Sequence, residues 1–142
     1  MLAPAPNGAV EIRSGDGALV SSFSPAGTVR AIALSPATAV ILVEASDRSR
    51  RVERYDAATG TLLGATPVQP ITANNLDIAG GWIVYRTGRA IRLIDVVTGA
   101  KRLLVISLAT PLGLSIESRR VAWAENRLSH GRVRSVLAPA HP

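Results

Sequence analysis

The chain has 142 residues, 47% of them hydrophobic, enough for one domain with a real core. It has no cysteine, which excludes disulfide frameworks, thiolate metal sites and thiol catalysis. The net charge of +6, carried by arginines and a single lysine, admits an acidic partner or a nucleic acid.

Residues 1–8 have neither the basic start nor the apolar stretch of a signal peptide, and they read as a disordered tail. The chain as given therefore predicts no secretion signal, and a periplasmic or extracellular location stays open if sequence is missing upstream. No apolar run approaches the ~18 residues of a membrane span. Next come Ala9 to Arg13, the turn Ser14-Gly15-Asp16-Gly17, and Ala18 to Val20. They predict a hairpin, half a repeat over 9–24.

Three fuller units follow, over 29–68, 74–107 and 112–137, with strands A to D in order in the first two and A to C in the third. In the first, Ile32-x-Leu34 opens strand A, Ile41-x-Val43 carries strand B, Val52 opens strand C and Leu62-Leu63 lies in strand D. The matching positions in the second are Leu76-x-Ile78, Ile83-x-Tyr85, Ile91 and Leu103-Leu104. In the third they are Leu114-x-Ile116, Val121-x-Trp123 and Val133, with no strand D. Ala39 to Val43 is apolar without a break, as a strand covered on both faces should be. Residues 138–142 read as a C-terminal tail.

The units share a phrase. Asp56-Ala57-Ala58-Thr59-Gly60 recurs 39 positions later as Asp95-Val96-Val97-Thr98-Gly99. Asp at the head of such a turn accepts hydrogen bonds from backbone N–H groups two or three residues on, and Gly takes the left-handed conformation that closes it. The phrase predicts the C–D hairpin. An internal period of roughly 40 residues filled with short strands predicts an all-β fold of β-propeller-type repeats, four-stranded antiparallel blades in an incomplete ring. Three units are too few to close one. The chain is then the C-terminal part of a longer propeller, one of two copies that share a ring, or an open stack of sheets.

The hairpins Arg54 to Gly60 and Leu93 to Gly99, with the strand-B phrase Arg119 to Glu125 and its aromatic Trp123, resemble the broad group of bacterial WD-repeat-like propellers that includes TolB-like and YVTN-type repeats. The resemblance covers about Val10 to Leu137. The chain departs from true WD repeats in lacking their Gly-His and Trp-Asp dipeptides.

Chemistry-bearing residues are sparse. His130, at a hairpin tip, and His141, in the tail, have no partner at metal-ligand spacing. Gly113-Leu114-Ser115-Ile116-Glu117 has Glu where a nucleophile elbow needs its second Gly. Asp56 and Asp95 are explained by their turns, and Asp77, on an inner strand A, is open to a channel. The sequence predicts no catalytic, cofactor-binding or metal-binding residues, no cofactor, and no enzyme activity.

Arginines gather at the B–C loops: Arg48, Arg50, Arg51 and Arg54; then Arg86, Arg89 and Arg92; then Arg127, Arg132 and Arg134. Arg51, Arg89 and Arg132 represent this candidate partner-binding set. The expected function is a non-enzymatic scaffold for a protein partner, with self-association through exposed blade faces. The alternatives are nucleic-acid or anionic-surface binding through the same loops, and the non-catalytic portion of a larger enzyme. Aromatics at 4% leave little to stack on bases, which disfavours nucleic acid.

Overall fold

The computed structural model describes the backbone of residues 2–4 and all of residues 8–142. Every regular element among them is a strand, and every sheet is an antiparallel meander. The chain divides into two compact units, residues 1–70 and 71–142.

The first unit holds two sheets. One is three-stranded, ordered β1 (Leu2–Pro4), β2 (Val10–Arg13) and β3 (Leu19–Phe23). The other is four-stranded: β4 (Thr28–Leu34), β5 (Thr38–Glu44), β6 (Arg50–Asp56) and β7 (Leu62–Val68). The expected tail over 1–8 is corrected here, because Leu2–Pro4 pairs with Val10 to Ile12 and makes the half repeat a three-stranded sheet. Proline is tolerated there because an edge strand has one side free of ladder bonds. Met1 and residues 5–7 of that expected tail lie outside the described residues.

The two sheets of this unit share a core of Val10, Ile12, Phe23, Ala39, Ile41, Val43, Tyr55 and Ala57. Phe23 stacks on Tyr55 with ring centroids 3.8 Å apart and planes 13° apart. The β-branched run of β5 supplies three of these residues, and all seven positions of β5 are buried. The C–D turn forms as its residues dictate: Asp56 Oδ1 accepts from the amides of Ala58 and Thr59, both at 2.9 Å. Gly60 sits at φ +74°, and a Cβ there would fall 2.5 Å from the Ser22 carbonyl oxygen. The turn therefore needs glycine twice, for its backbone angle and for its approach to β3.

The second unit repeats the plan. A four-stranded sheet comprises β8 (Thr72–Ala79), β9 (Trp82–Thr87), β10 (Ala90–Asp95) and β11 (Lys101–Ile106). A three-stranded sheet follows: β12 (Pro111–Glu117), β13 (Arg120–Arg127) and β14 (His130–Leu137). Trp82, Val84, Ile91, Leu93, Ile116, Val121, Trp123 and Ala138 form its core. Strands β4, β8 and β12, each first in its sheet, all carry a register break against the second strand. That irregularity adds twist where each sheet begins.

Residues 138–142, expected as a C-terminal tail, carry no regular element and are held against the sheets. Ala138 is fully buried, and its amide donates to the Arg119 carbonyl at 2.7 Å. Arg119 Nε returns a bond to the Ala138 carbonyl at 2.9 Å. The segment is held by side chains distant in sequence, so its Pro-rich composition gives no sign of it.

Candidate functional site

The carboxylates are built into the scaffold. Asp95 Oδ1 accepts from Val97 and Thr98 amides at 2.8 and 2.9 Å, repeating the Asp56 turn in the second unit. These backbone donors, Thr98 first, hold its carboxyl below the usual range against the cost of burial, with His141 adding to the effect. Asp77, expected on an inner strand, lies on β8 and laces two sheets together: its Oδ2 accepts from the Ile116 amide of β12 at 2.8 Å.

Among the buried carboxylates, Glu53 in the first unit and Glu125 in the second lie on strand faces turned to the shared cores. Glu53 of β6 accepts from Arg51 Nε at 2.6 Å and from the Tyr55 hydroxyl. Arg51, Glu53 and Tyr55 alternate along one strand, so all three share the face that meets the first sheet. Burial, with Glu53 beside it, pushes the Tyr55 phenol up, so the hydroxyl keeps its proton and donates. Glu125 of β13 is wholly inaccessible to solvent. It accepts from the Ser107 hydroxyl, from Trp123 Nε1 at 3.1 Å and from Arg132 Nε at 2.9 Å. The Ser107 bond, then those from Trp123 and Arg132, pulls its carboxyl down to about 2 against the opposing cost of burial.

The three arginines singled out from sequence occupy different settings. Arg51 is tied to Glu53 and to the Ala26 carbonyl, the latter at 2.8 Å. Arg132 is tied to Glu125. Arg89 lies exposed in the β9–β10 turn, its guanidinium reaching the Leu108 carbonyl at 3.3 Å. Nor are they equivalent in register. Arg51 lies across from Val43, and the same place in the other sheets, across from Tyr85 and Trp123, is held by Arg92 and Arg134. In the first loop set, Glu44 accepts from Arg30 Nη2 at 2.6 Å and from Arg50 Nε at 2.9 Å. Those two bonds, Arg30 first, hold the Glu44 carboxyl down.

Sequence reasoning passed over Ser107 and the role of Glu125. Its one signal was the alternation Val121-x-Trp123-x-Glu125, which puts an acid on an apolar face and so demands a buried donor. His141, expected in the tail, places Nε2 3.0 Å from Asp95 Oδ2 and sets its ring edge-on to Trp82 at 5.2 Å. Among the described residues, no three His, Cys, Asp or Glu side chains converge as a metal site would require. No helix is long and apolar enough to cross a membrane.

Antiparallel four-stranded meanders, repeated and packed face to face, define the architecture of propeller blades. Comparison with solved structures gives the same class. The chain is similar to the computationally designed protein Ika8, with a TM-score of 0.64 and 19% identity over 87% of this chain and 39% of that one. It is similar to BamB from Moraxella catarrhalis, at 0.62 and 18% over 98% of this chain and 42% of that one. It is similar to the Pan2 WD40 domain of Neurospora crassa, at 0.61 and 14% over 92% and 41%. The chain thus spans about two fifths of the length of these proteins. It has the fold of a set of propeller blades. No protein-family profile and no curated protein sequence matches it.

Proposed function

We propose that this chain is a non-enzymatic propeller scaffold for protein–protein interaction, part of a larger propeller, with Arg89 in its turn and Arg51 and Arg132 near the starts of β6 and β14 as partner-binding residues. One observation carries the reading. Asp56, Asp77, Asp95, Glu53 and Glu125 all have structural hydrogen bonds, two of them to Arg51 and Arg132, while Arg89 stands exposed at its turn with one long bond to a backbone carbonyl. Carboxylates so engaged serve the fold, and a surface left basic attracts acidic protein. Arg89 is the best placed of the three, since its side chain is exposed at a turn. Arg51 and Arg132 keep about a quarter and a third of their side chains accessible beside the carboxylates they hold.

The test replaces Arg89 by a photo-crosslinking phenylalanine in the native host. The reading expects a discrete protein adduct that weakens in high salt and does not form from the turn residue Ala58. Adducts to nucleic acid, or equal adducts from both positions, would overturn it.

A further inference from the structure

We infer, building on the protein-binding reading above, that Arg48 and Arg30 together receive one side-chain carboxylate of the partner protein. Both belong to the sheet β4–β5–β6–β7, which has its four strands, and both lie at its turn end. Blades of a ring meet face to face, so further blades leave that end open. The β5–β6 turn is closed by its own backbone. The Ala45 amide donates to the Ser49 carbonyl at 2.9 Å, and the Arg48 amide to the Ala45 carbonyl at 3.0 Å. Arg48 stands there in the left-handed region, at φ +70°. The corresponding turn of the second unit puts Gly88 in that conformation, at φ +58°. Outside glycine the region is strained, so the first turn gives up stability to keep an arginine.

The fold makes little use of the arginine it keeps. Glu44, at the end of β5, accepts from Arg30 Nη2 at 2.6 Å and from Arg50 Nε at 2.9 Å. Arg48 Nη1 stands 3.8 Å from Glu44 Oε1, too far for a hydrogen bond, and its side chain is 82% exposed. Arg30 reaches the same oxygen from the register break of β4 between Val29 and Ala31, where a bulge re-aims the side chain. Its Nε is buried without a hydrogen-bond partner, while a third of its side chain stays accessible. Two guanidiniums with donors to spare thus converge on one occupied carboxylate oxygen. Charge selects the ligand. Arg30, Arg48 and Arg50 stand against Glu44 and the turn's own Asp47, whose Oδ1 is engaged by the amide and hydroxyl of Ser49. Arg51 and Glu53 cancel each other. The balance is a single positive charge, which one carboxylate neutralises, giving one oxygen to the Arg48 fork and the other to Arg30. A phosphate dianion would overshoot it. A turn tip this exposed encloses no small molecule, so the carboxylate comes on a protein surface that adds contacts of its own.

The probe is a capped pentapeptide with one central glutamate among alanines and glycines. It is titrated into the full chain at low salt and followed by the arginine Nε–H and backbone amide resonances. Half-saturation is expected at about 1–10 mM, the range of a pair of charge-assisted bonds, with shifts centred on Arg30 and the β5–β6 turn. The glutamine version of the peptide should bind at least about tenfold more weakly, and so should Arg48→Gln with the glutamate peptide. Arg48→Gly should lose the binding and melt no lower than the parent, since glycine accepts the left-handed backbone. A melting temperature lowered by more than about 3 °C in Arg48→Gly would give the arginine to the fold and overturn the inference. So would no saturation by about 30 mM, or equal binding of the glutamine peptide. A phosphoserine peptide binding more than about tenfold tighter than the glutamate one would overturn it too, by making a phosphate monoester the ligand. If the glutamate peptide fails while crosslinks still form at position 89, this site falls and the scaffold reading stands; if both fail, both fall.

Discussion

The indole Nε1–H of Trp82 donates to the carbonyl of Pro139 at 3.0 Å, tying β9 to a segment 57 residues away. The same segment sets His141 against the Trp82 ring and the Asp95 carboxylate. Residues 138–142 therefore act as a strap across one end of the second unit, holding the last sheet to the one before it. Gly81 makes room for the strap. Its φ is +81°, and a Cβ would stand 2.5 Å from the His141 ring. Gly81→Ala should destabilise the chain by about 1–2 kcal/mol from the backbone angle alone. Part of any further loss should disappear in Gly81→Ala/His141→Ala, where the ring is gone. Denaturant melts of the single and double variants check this, and strictly additive losses would count against the contact.

Arg51 and Arg89 should part company under substitution. Arg51→Ala strips the buried Glu53 of a charged donor, leaving the Tyr55 hydroxyl as its donor among the described residues, and should cost about 2 kcal/mol. Arg89→Ala loses one long bond at an exposed turn and should fall within about 0.5 kcal/mol of the parent. Any binding role should show the reverse order, with Arg89→Ala changing affinity and salt dependence at unchanged stability. Thermal melts beside binding titrations separate the two.

The two equivalent turn acids carry unequal loads. Asp56 fixes its turn only, whereas Asp95 fixes its turn and receives His141. Asp95→Ala should lower the melting temperature more than Asp56→Ala, and the difference should shrink when His141 is also replaced. Equal shifts would mean that the His141 contact contributes nothing.

These cases mark what the sequence could tell. The Asp56 and Asp95 turns were legible because the bonds that close them fall within five residues, and the amino-acid types at each place dictate them. The strand order within each sheet was legible for the same local reason, since meanders join neighbours by short turns. The strap was not, because Trp82 and Asp95 lie far from a segment whose own composition spells coil. Nor was the fate of the arginines. The loops revealed their charge, but Arg132 meets Glu125 only through the register of β13 and β14. Leu2–Pro4 was missed because proline masks a strand whose partner, β2, lies across a gap of five residues.

Acid should loosen the second unit through Glu125. Its carboxyl is held down to about 2 from an ordinary 4.5, so the folded state binds that proton less readily than the unfolded chain. The sign follows from linkage: the stabilisation is complete above about pH 4.5 and is lost as pH falls through about 2. Glu44, held down by Arg30 and Arg50, contributes in the same direction in the first unit. Glu125→Gln retains an acceptor for Ser107 and Trp123 but removes the charge that Arg132 faces. The variant should therefore be less stable near neutrality and should lose less on acidification, so that the two melting curves converge toward pH 2. Adding Glu44→Gln should flatten the remaining slope. Parallel curves for parent and Glu125→Gln across that window would mean that the buried carboxylate does not set the acid limit, and attention would pass to the turn aspartates.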